Sequence, residues 1–480
     1  MNILKNLRCS GACFGLSFVG AMLCSQPAAA EVTLLDQGGW HFTFDGRVNA
    51  FLSVGQGDDF PSPTPGSAGK DHDVMGTIRP SRTPDVGWKS SEQADENGKY
   101  FAARIRSGLV GNVLGFGIVR ELTPTTRIKG YISIWSTVES PGRDKWTAVI
   151  PVTREGYFSV TGPWGSATVG RTFGWFGRMS TEIDHLYGHG YGVGLPCTDE
   201  LGPACGHIGT GVAYPGYSAG FSYSTPSFGG LQLHVGAYDP IVLPDMPLGT
   251  GSTGAWKRAP LLRPEGSLTF ETKLGGTGLL KLGVEGMYQP LARVEQRQVS
   301  TPDGMGGTTT TTVPTPESTS VWGVAGGARL EVGPVRLGAA AFRGRGVGMT
   351  YVLQNTSATV AKTGEIRTFT GIYGQGAVMV GQFQIAAGGG VASADQLRSD
   401  RLDTSMSVIH QQIGISGAVY YHLTDSVVLG LDYFRFMARW YGAPKSVLDG
   451  NGNPVLADGS LLPGEKQDLN FINAGVTYHW

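Results

Sequence analysis

Apolar and polar residues alternate along most of the chain, and this period of two predicts β-strands. In the last segment, small or polar residues separate the apolar residues Ile472, Ala474, Val476, Tyr478 and Trp480. The same alternation marks Trp40–Leu52 and the stretches 128–134, 268–273, 280–285 and 412–421. A polar second face on so many strands indicates water on that side of the sheet. We therefore expect an all-β protein whose strands each have one apolar and one polar face.

The aromatic end of the last strand indicates a membrane-spanning barrel rather than a soluble sandwich. Aromatic rings favour the membrane–water interface, where Tyr478 and Trp480 would lie. After the N-terminal stretch the chain has no run of about 18 apolar residues, so we expect no helix to cross the membrane.

Short turns and long connections alternate along the chain. The tight turns are predicted at Thr123–Thr126, Pro163–Gly165, Pro226–Gly229, Gly275–Gly278 and Gly333–Pro334. The long connections are predicted at 53–98, 140–149, 173–214, 241–259, 296–320, 350–365, 397–405 and 442–466. This asymmetry is typical of short periplasmic turns and long extracellular loops in an antiparallel barrel of about sixteen strands. The threonine- and proline-rich stretch 306–320 is predicted to be a mobile surface loop.

A secretory signal peptide is expected at residues 1–30. Lys5 and Arg8 supply the positive start, Gly11–Leu23 supplies the apolar stretch, and Ala28–Ala30 supplies a small-residue cleavage site. The signal peptide would place the remaining residues 31–480 outside the cytoplasm. They would form one transmembrane barrel domain, because no internal repeat or domain boundary is visible.

Composition supports the barrel and narrows the range of partners. Glycine accounts for 75 of the 480 residues, and glycine weakens helices but suits strands that bend and pack closely. The formal net charge of −1 argues against nucleic acid as a partner. Two cysteines, Cys197 and Cys205, remain after removal of the signal peptide, and in an oxidising compartment such a pair is most simply a disulfide.

Five segments carry a resemblance to a known family when their order and spacing are considered together. They are FDGRVNA (44–50), ARIRSGLVG (103–111), REGYFSVTGPWGSATVGR (154–171), GFSYSTP (220–226) and the terminal Trp480. Together they resemble the trimeric general porins of Gram-negative bacteria. The resemblance implies a homotrimer in the outer membrane, in contact with lipid and lipopolysaccharide, with no cofactor.

The resemblance also implies that the third extracellular loop folds into the lumen and narrows it. In this chain that loop would be the connection Phe173–Tyr214, which follows the fifth strand and contains both cysteines. Its apolar residues would be costly to leave in water and could be covered by a barrel wall. These residues are Trp175, Phe176, Leu186, Tyr187, Tyr191 and Leu195.

Basic residues on the wall of such a constriction would act on passing ions. Arg47, Arg106 and Arg171 match basic wall positions of the family on the first, second and fifth strands. A further basic position of the family corresponds here to Gly216, so it is not carried over. Opposed charges in a low-dielectric throat orient dipolar solutes and sort ions.

Acidic residues on the loop would face that basic wall. The acidic loop signature of the family is absent, and the nearest candidates are Glu182 and Asp184, with Asp199 and Glu200 as second choices. Because the signature is missing, the sequence leaves the preference for cations or anions open.

Three further motifs have a functional and a structural interpretation. His185, His189 and His207 lie near the two cysteines, but their spacing fits zinc poorly, and no metal site is predicted. The stretch 449–453 resembles the first half of a calcium loop but is followed by Pro454 where glycine is required. The pattern around Ser218 matches a hydrolase nucleophile motif without the helix that such a motif needs.

The sequence therefore predicts an outer-membrane porin that lets small hydrophilic solutes and ions diffuse passively, and no enzyme. A substrate-selective channel for sugars, phosphate or organic acids is the first alternative, and an aromatic slide or a basic ladder in the lumen would indicate it. A barrel hydrolase and a barrel with a plugged lumen are further alternatives.

Overall fold

The computed structural model describes most of the chain from residue 32 onward. The described residues are 32–58, 71–72, 99–138, 152–187, 191–196, 204–243, 256, 258–276, 278–302, 308–349, 359–361, 363–401, 406–442, 444–448, 454–461 and 464–480. The expected signal peptide, the 449–453 stretch, Cys197, Asp199, Glu200 and His189 lie outside them.

Nearly all regular structure is β. The strands in the first half are β1 (Val32–Gln37), β2 (Trp40–Asp58), β3 (Asp71–His72), β4 (Lys99–Arg106), β5 (Asn112–Thr123), β6 (Thr126–Ser136), β7 (Val152–Gly162), β8 (Gly165–Phe173), β9 (Leu195–Pro196), β10 (Ala204–Gly206), β11 (Tyr217–Ser224) and β12 (Leu231–Tyr238). The second half contains β13 (Arg263–Lys273), β14 (Leu279–Pro302), β15 (Thr308–Val332), β16 (Val335–Arg345), β17 (Thr368–Val380), β18 (Phe383–Ala394), β19 (Met406–Ser407), β20 (Ile409–His422), β21 (Val427–Trp440), β22 (Pro444–Leu448), β23 (Pro454–Leu461) and β24 (Lys466–His479). A short helix, α1 (Arg178–Glu182), and a 3-10 turn, Ser399–Arg401, complete the regular elements.

The sheet closes into an antiparallel barrel of 16 strands. Closure occurs at β2, which pairs with β24 along one edge and with β4 and β5 along the other. β4 and β5 act as one barrel strand, because β4 pairs with the second half of β2 and β5 with the first half. The chain leaves this composite strand at residues 107–111 and then rejoins it. The predicted all-β barrel and its strand number are confirmed.

Each barrel strand has an exposed apolar face and a buried, mainly polar face. In β2, Val48 and Leu52 are 47 % and 48 % exposed, whereas Asn49 and Ser53, which follow them directly, are 1 % and 2 % exposed. The alternation in the sequence predicted this division. We refer below to the apolar face and the polar face of the barrel.

Tight hairpin turns join many strands at one end of the barrel. Val332 pairs with Val335 and Val380 with Phe383, so only two residues form each turn. Gly333 and Gly381 occupy these turns with φ of 56° and 59°, a left-handed conformation that favours glycine. The predicted turns near residues 124, 163 and 334 are confirmed by the adjacent strand pairings.

The long connections differ from the sequence prediction in two places. Outside residues 303–307, the stretch 296–320 is strand rather than loop, because β14 and β15 pair continuously from Leu279 with Glu331 to Pro302 with Thr308. Its β-branched threonines favour strand, and this preference outweighs the loop-like bias of the composition. Within the last connection, β22 and β23 form a hairpin of their own.

No helix among the described residues is long and apolar enough to cross a membrane.

Candidate functional site

The connection between β8 and β11, residues 174–216, forms a compact structure that we call the third loop. It contains α1 and the paired strands β9 and β10. The six apolar residues that were predicted to avoid water are all buried, and they are Trp175, Phe176, Leu186, Tyr187, Tyr191 and Leu195. The third loop therefore packs against other parts of the molecule over most of its described length.

Two carboxylates on the polar face hold the start of the third loop. Glu265 on β13 accepts hydrogen bonds from the backbone N–H groups of Trp175 and Phe176, at 2.7 and 3.0 Å. Glu285 on β14 accepts the N–H groups of Gly177 and Met179, both at 2.7 Å. Glu285 thus satisfies backbone donors at the beginning of α1 that would otherwise lack partners.

The middle of the third loop is fastened by side chains of three other strands. Gln384 on β18 donates to the carbonyl oxygen of His185 at 2.6 Å, and Tyr420 on β20 donates to that of Leu186 at 2.6 Å. Arg329 on β15 donates to the carbonyl oxygen of Glu182 at 3.1 Å. Loop carbonyls that are buried in this way need such donors.

Asp432 on β21 binds the third loop at two places. Its carboxylate accepts hydrogen bonds from the Tyr187 hydroxyl at 3.3 Å and from the backbone N–H of Val193 at 3.2 Å. Asn473 on β24 donates to the same carboxylate at 2.6 Å and to the carbonyl oxygen of Gly194 at 3.2 Å. Asp432 and Asn473 therefore join two strands to both ends of the loop segment 187–194.

The excursion at residues 107–111 between β4 and β5 also contacts the third loop. Leu109 donates its backbone N–H to the carbonyl oxygen of Gly192 at 3.1 Å. Asn49 on β2 holds the excursion, because its amide oxygen accepts the N–H of Gly108 at 2.6 Å. The Asn49 amide nitrogen donates to the carbonyl oxygens of Val110 and Gly111 at 2.8 and 3.1 Å.

Of the two acidic residues predicted for the constriction, Asp184 is buried in the third loop and Glu182 is partly buried. The Glu182 carboxylate pairs with Arg178 at 3.0 Å and with Lys281 of β14 at 2.5 Å. Burial raises the pKa of Glu182, but the charges of Lys281 and Arg178 outweigh burial and leave the pKa below its usual value. Glu182 is therefore a loop carboxylate that faces a basic residue of the wall, although that residue was not predicted.

Asp184 has a different surrounding from Glu182. One oxygen of its carboxylate accepts the backbone N–H groups of Leu186 and Tyr187, at 2.8 and 3.2 Å. The same oxygen lies 3.8 Å from Nε2 of His207. These contacts fix the turn after α1, which is the structural role that a short polar side chain often has.

The three predicted wall arginines are not brought together. Arg47 and Arg106 are both buried, and Arg106 lies opposite Phe51 on the polar face. Arg171 is exposed and lies in register between Gly156 and Ala219, on the same strand face as Val169. Arg171 therefore shares the apolar face and does not join the other two arginines.

Cys205 is disulfide-bonded. Its expected partner Cys197 lies outside the described residues, so the Cys197–Cys205 pairing stays a prediction. Cys205 is fully buried, and the strand that contains it, β10, pairs with β9. A disulfide at this position would restrict the part of the third loop that contacts the excursion.

The two described histidines of the third loop are buried among aromatic and polar groups. The ring of His207 lies 4.5 Å from the ring of Tyr187 and 4.7 Å from that of Tyr373. Burial lowers the pKa of His207 to about 3. Burial, together with the charges of Arg329 and Arg336, lowers the pKa of His185 to about 3. Among the described residues, no group of histidine, cysteine and carboxylate side chains could hold a metal ion.

Ser218, the serine of the hydrolase-like pattern, lies in a regular strand. It is the second residue of β11, and its hydroxyl accepts a hydrogen bond from Arg263 at 3.1 Å. A nucleophile of this class needs a sharp strand-to-helix turn, which this strand does not provide.

A family model described as Gram-negative porin matches residues 17–241, just under half of the chain. Over these residues the chain matches the Gram-negative porin family. The chain also resembles the solved outer membrane channel DcaP of Acinetobacter baumannii, with a TM-score of 0.56 and 13 % identity over 93 % of this chain and 99 % of that chain. It also resembles an anion-selective porin from Comamonas acidovorans, with a TM-score of 0.50 and 12 % identity over 92 % of this chain and 100 % of that chain.

These two structural likenesses concern the fold alone, and no curated protein matches the sequence. The family match and the closed barrel support an outer-membrane channel protein.

Several polar-face residues were not predicted from the sequence. The hydroxyl of Tyr131 on β6 donates to Asp45 on β2 at 2.9 Å, and the Lys129 ammonium lies 4.8 Å from the Tyr131 ring centroid. Ser133 on β6 donates to Glu155 on β7 at 3.1 Å. We call these five residues the polar strip. Their positions in period-two strands were visible in the sequence, but their mutual contacts depend on strand register.

Proposed function

We propose that this protein forms a water-filled channel through which small hydrophilic solutes and ions diffuse passively across the outer membrane. The observation that carries the proposal is the division of a closed barrel into an exposed apolar face and a buried polar face. An apolar face suits contact with lipid and lipopolysaccharide, and a polar face suits a hydrated lumen.

The third loop would lie within this lumen and narrow it. Its hydrogen bonds end on the polar face of strands β13, β14, β15, β18, β20, β21 and β24. The polar strip lies on β2, β6 and β7, on another part of the wall. The passage for solutes would therefore run along the polar strip, between it and the third loop.

Charge at the throat would come from wall residues and loop residues together. Lys281 and Glu182 form the opposed wall–loop pair, while Arg47, Arg106 and Lys129 add positive charge to the wall. Asp184 would shape the loop, and Arg171 would lie away from the passage. Groups of opposite sign held in a narrow, low-dielectric passage act on ions according to their charge.

The proposed assembly is a homotrimer, as in the general porins that the sequence resembles. Subunits would meet through the apolar face, which in a membrane also contacts lipid. No catalytic chemistry is part of the proposal.

Single-channel conductance tests the proposal directly. Folded protein extracted in detergent is inserted into a planar bilayer with a salt gradient across it. We expect stepwise conductance, in groups of three for a trimer, and a reversal potential that reports the charge preference. Absence of conductance from correctly folded protein would overturn the diffusion channel and favour a barrel that the third loop plugs.

A substrate-selective channel is the second candidate, and a specific observation favours it. Arginine and aromatic side chains follow one another from β6 to the start of the third loop, as described next. A continuous row of this kind is the feature that separates a selective channel from a general one.

A further inference from the structure

A row of rings and guanidinium groups runs from β6 to the third loop. Trp135 of β6 and Tyr217 of β11 have ring centroids 6.0 Å apart, and Tyr217 lies 5.0 Å from Phe173. Two arginines lie against this row, with the Arg154 guanidinium near its first ring and the Arg178 guanidinium near its last. We call Trp135, Arg154, Tyr217, Phe173, Arg178 and Trp175 the arginine–aromatic row.

A β-bulge brings Arg154 into the row. Ser133 pairs with Glu155 and Ile134 pairs with Thr153, so Arg154 is the extra residue of β7 at this place. A bulge bends the strand and re-aims the side chain of the extra residue. As a result the Arg154 guanidinium lies 4.6 Å from the centroid of Trp135 and 6.0 Å from that of Tyr217.

The other end of the row is tied to the third loop. The Arg178 guanidinium lies 4.3 Å from the centroid of Trp175 and 5.9 Å from that of Phe173. Its Nε donates to Glu182 at 3.0 Å, and Trp175 stacks on His234 at 4.0 Å. Arg178 and Trp175 are buried and fixed by these contacts, so this end of the arginine–aromatic row holds the other members in position.

The members of the row differ in exposure, and that difference locates the accessible part. Trp135 and Phe173 are buried, whereas Arg154 and Tyr217 are partly exposed. A solute that passes along the polar face would therefore meet Arg154 and Tyr217 first.

The chemistry of this accessible part selects a particular kind of solute. A guanidinium that stacks on an aromatic ring uses its flat face, while its N–H donors point outward in the plane of the group. In-plane donors match the two oxygens of a carboxylate. An adjacent aromatic ring favours contact with another planar apolar group.

We propose that Arg154, Trp135 and Tyr217 form a binding site for small organic anions with a planar apolar part, such as aromatic carboxylates. Arg154 binds the carboxylate, Trp135 orients the guanidinium, and Tyr217 packs against the ring of the solute. The site rests on the proposed channel function, because Trp135 lies on the polar face that would line the passage.

Benzoate, acetate and benzyl alcohol are the probes, since each of the last two lacks one half of the recognised chemistry. Binding is measured by calorimetry on the folded protein in detergent and by the concentration that interrupts single-channel current. We expect benzoate to bind most tightly and Arg154→Gln to weaken its binding about tenfold, as loss of a charge-assisted hydrogen bond requires. Arg154→Lys keeps the charge but loses planar stacking and should bind benzoate with intermediate affinity.

Two further variants keep the result interpretable. Tyr217→Leu should reduce the preference for benzoate over acetate while leaving acetate binding unchanged. Arg343→Gln removes the same charge from the exposed face and should bind benzoate like the unaltered protein. Equal binding of benzoate by the unaltered protein and Arg154→Gln, or equal binding of benzoate and acetate, would overturn the site.

Calorimetry separates the site from the channel. Benzoate binding without conductance would contradict the channel and leave the site supported. Conductance without preferential benzoate binding would support the channel and contradict the site.

Discussion

The amide oxygen of Asn49 accepts the backbone N–H of Gly108 at 2.6 Å, and this contact links the first barrel strand to the excursion in the second. The excursion in turn donates to the third loop through Leu109. The side chain of Asn49 therefore supports the third loop through the excursion. Loss of the Asn49 amide should destabilise the third loop, although the amide does not contact it directly.

We expect Asn49→Ala to loosen the excursion and the loop behind it. The substitution leaves Gly108 N–H and the carbonyl oxygens of Val110 and Gly111 without the amide, and each buried group left unpaired costs about 1–3 kcal/mol. The melting temperature should fall and single-channel current should become noisier. Asn470→Ala, which removes an amide that contacts Tyr433 on the exposed face, is the matched control and should change neither.

Asp432→Asn should weaken the attachment of the third loop at its centre. An amide placed there presents a donor to either the Val193 N–H or the Asn473 amide, which are themselves donors. We expect a loss of stability of about 1–3 kcal/mol and more frequent current fluctuations. Thermal unfolding followed by circular dichroism, together with bilayer recording, measures both effects. Unchanged stability and current would contradict the role assigned to Asp432.

Lys281 and Glu182 should be energetically coupled, because their ion pair is mostly buried. A double-mutant cycle of Lys281→Met and Glu182→Gln should give a coupling energy of about 1–3 kcal/mol in thermal unfolding. The exposed pair of Lys99 and Asp58, 2.8 Å apart, should give less than about 1 kcal/mol.

The same two substitutions should shift ion preference in opposite directions. Lys281→Met removes positive charge and should move the reversal potential towards cation preference, whereas Glu182→Gln should move it towards anion preference. Equal reversal potentials for both variants would place the pair away from the path of ions.

Acid should release the third loop. The pKa of His207 and of His185 is about 3 in the folded protein, below the ordinary value of about 6.5, so the unfolded or released loop binds more protons between these values. Stability therefore falls as pH drops from about 6.5 to about 3, by up to about 1.4 kcal/mol per pH unit for each histidine. We expect lower melting temperatures and larger current fluctuations at pH 4 than at pH 7.

His207→Phe isolates the histidine contribution from carboxylates that titrate in the same range. Phenylalanine keeps an aromatic ring between Tyr187 and Tyr373 but cannot bind a proton. Its slope of stability against pH should be smaller than that of the unaltered protein. Identical slopes would assign the acid effect to groups other than His207.

The fold was largely predictable because period-two patterning depends only on neighbouring residues. Alternation in Trp40–Leu52 gave both faces of β2, and the apolar content of 173–214 predicted its burial. The prediction of a loop in the threonine-rich stretch 306–320 was wrong. Its strand pairs with residues in 288–302, and local composition does not identify such a pairing partner.

The site was predictable only in part because its contacts join distant strands. The sequence named Glu182 as a candidate, but its partner Lys281 is remote in sequence and was not named. Arg154 was missed because a bulge, set by a shift between Ser133 and Ile134, brings it over Trp135. Resemblance placed Arg171 on the wall, whereas strand register places it beside Val169.

The long pairing of β14 with β15 has a consequence for the view from outside the cell. β13 pairs with β14 only up to Met287, and β16 pairs with β15 only back to Trp322. An isolated bridge joins Ala292 of β14 to Arg258, and beyond it β14 continues for 10 residues, 293–302, paired with β15. At about 3.3 Å per residue, this ribbon reaches roughly 33 Å beyond the bridge. An antibody or a phage that approaches the outer opening of the barrel would contact this β14–β15 hairpin before it contacted the ends of the other strands.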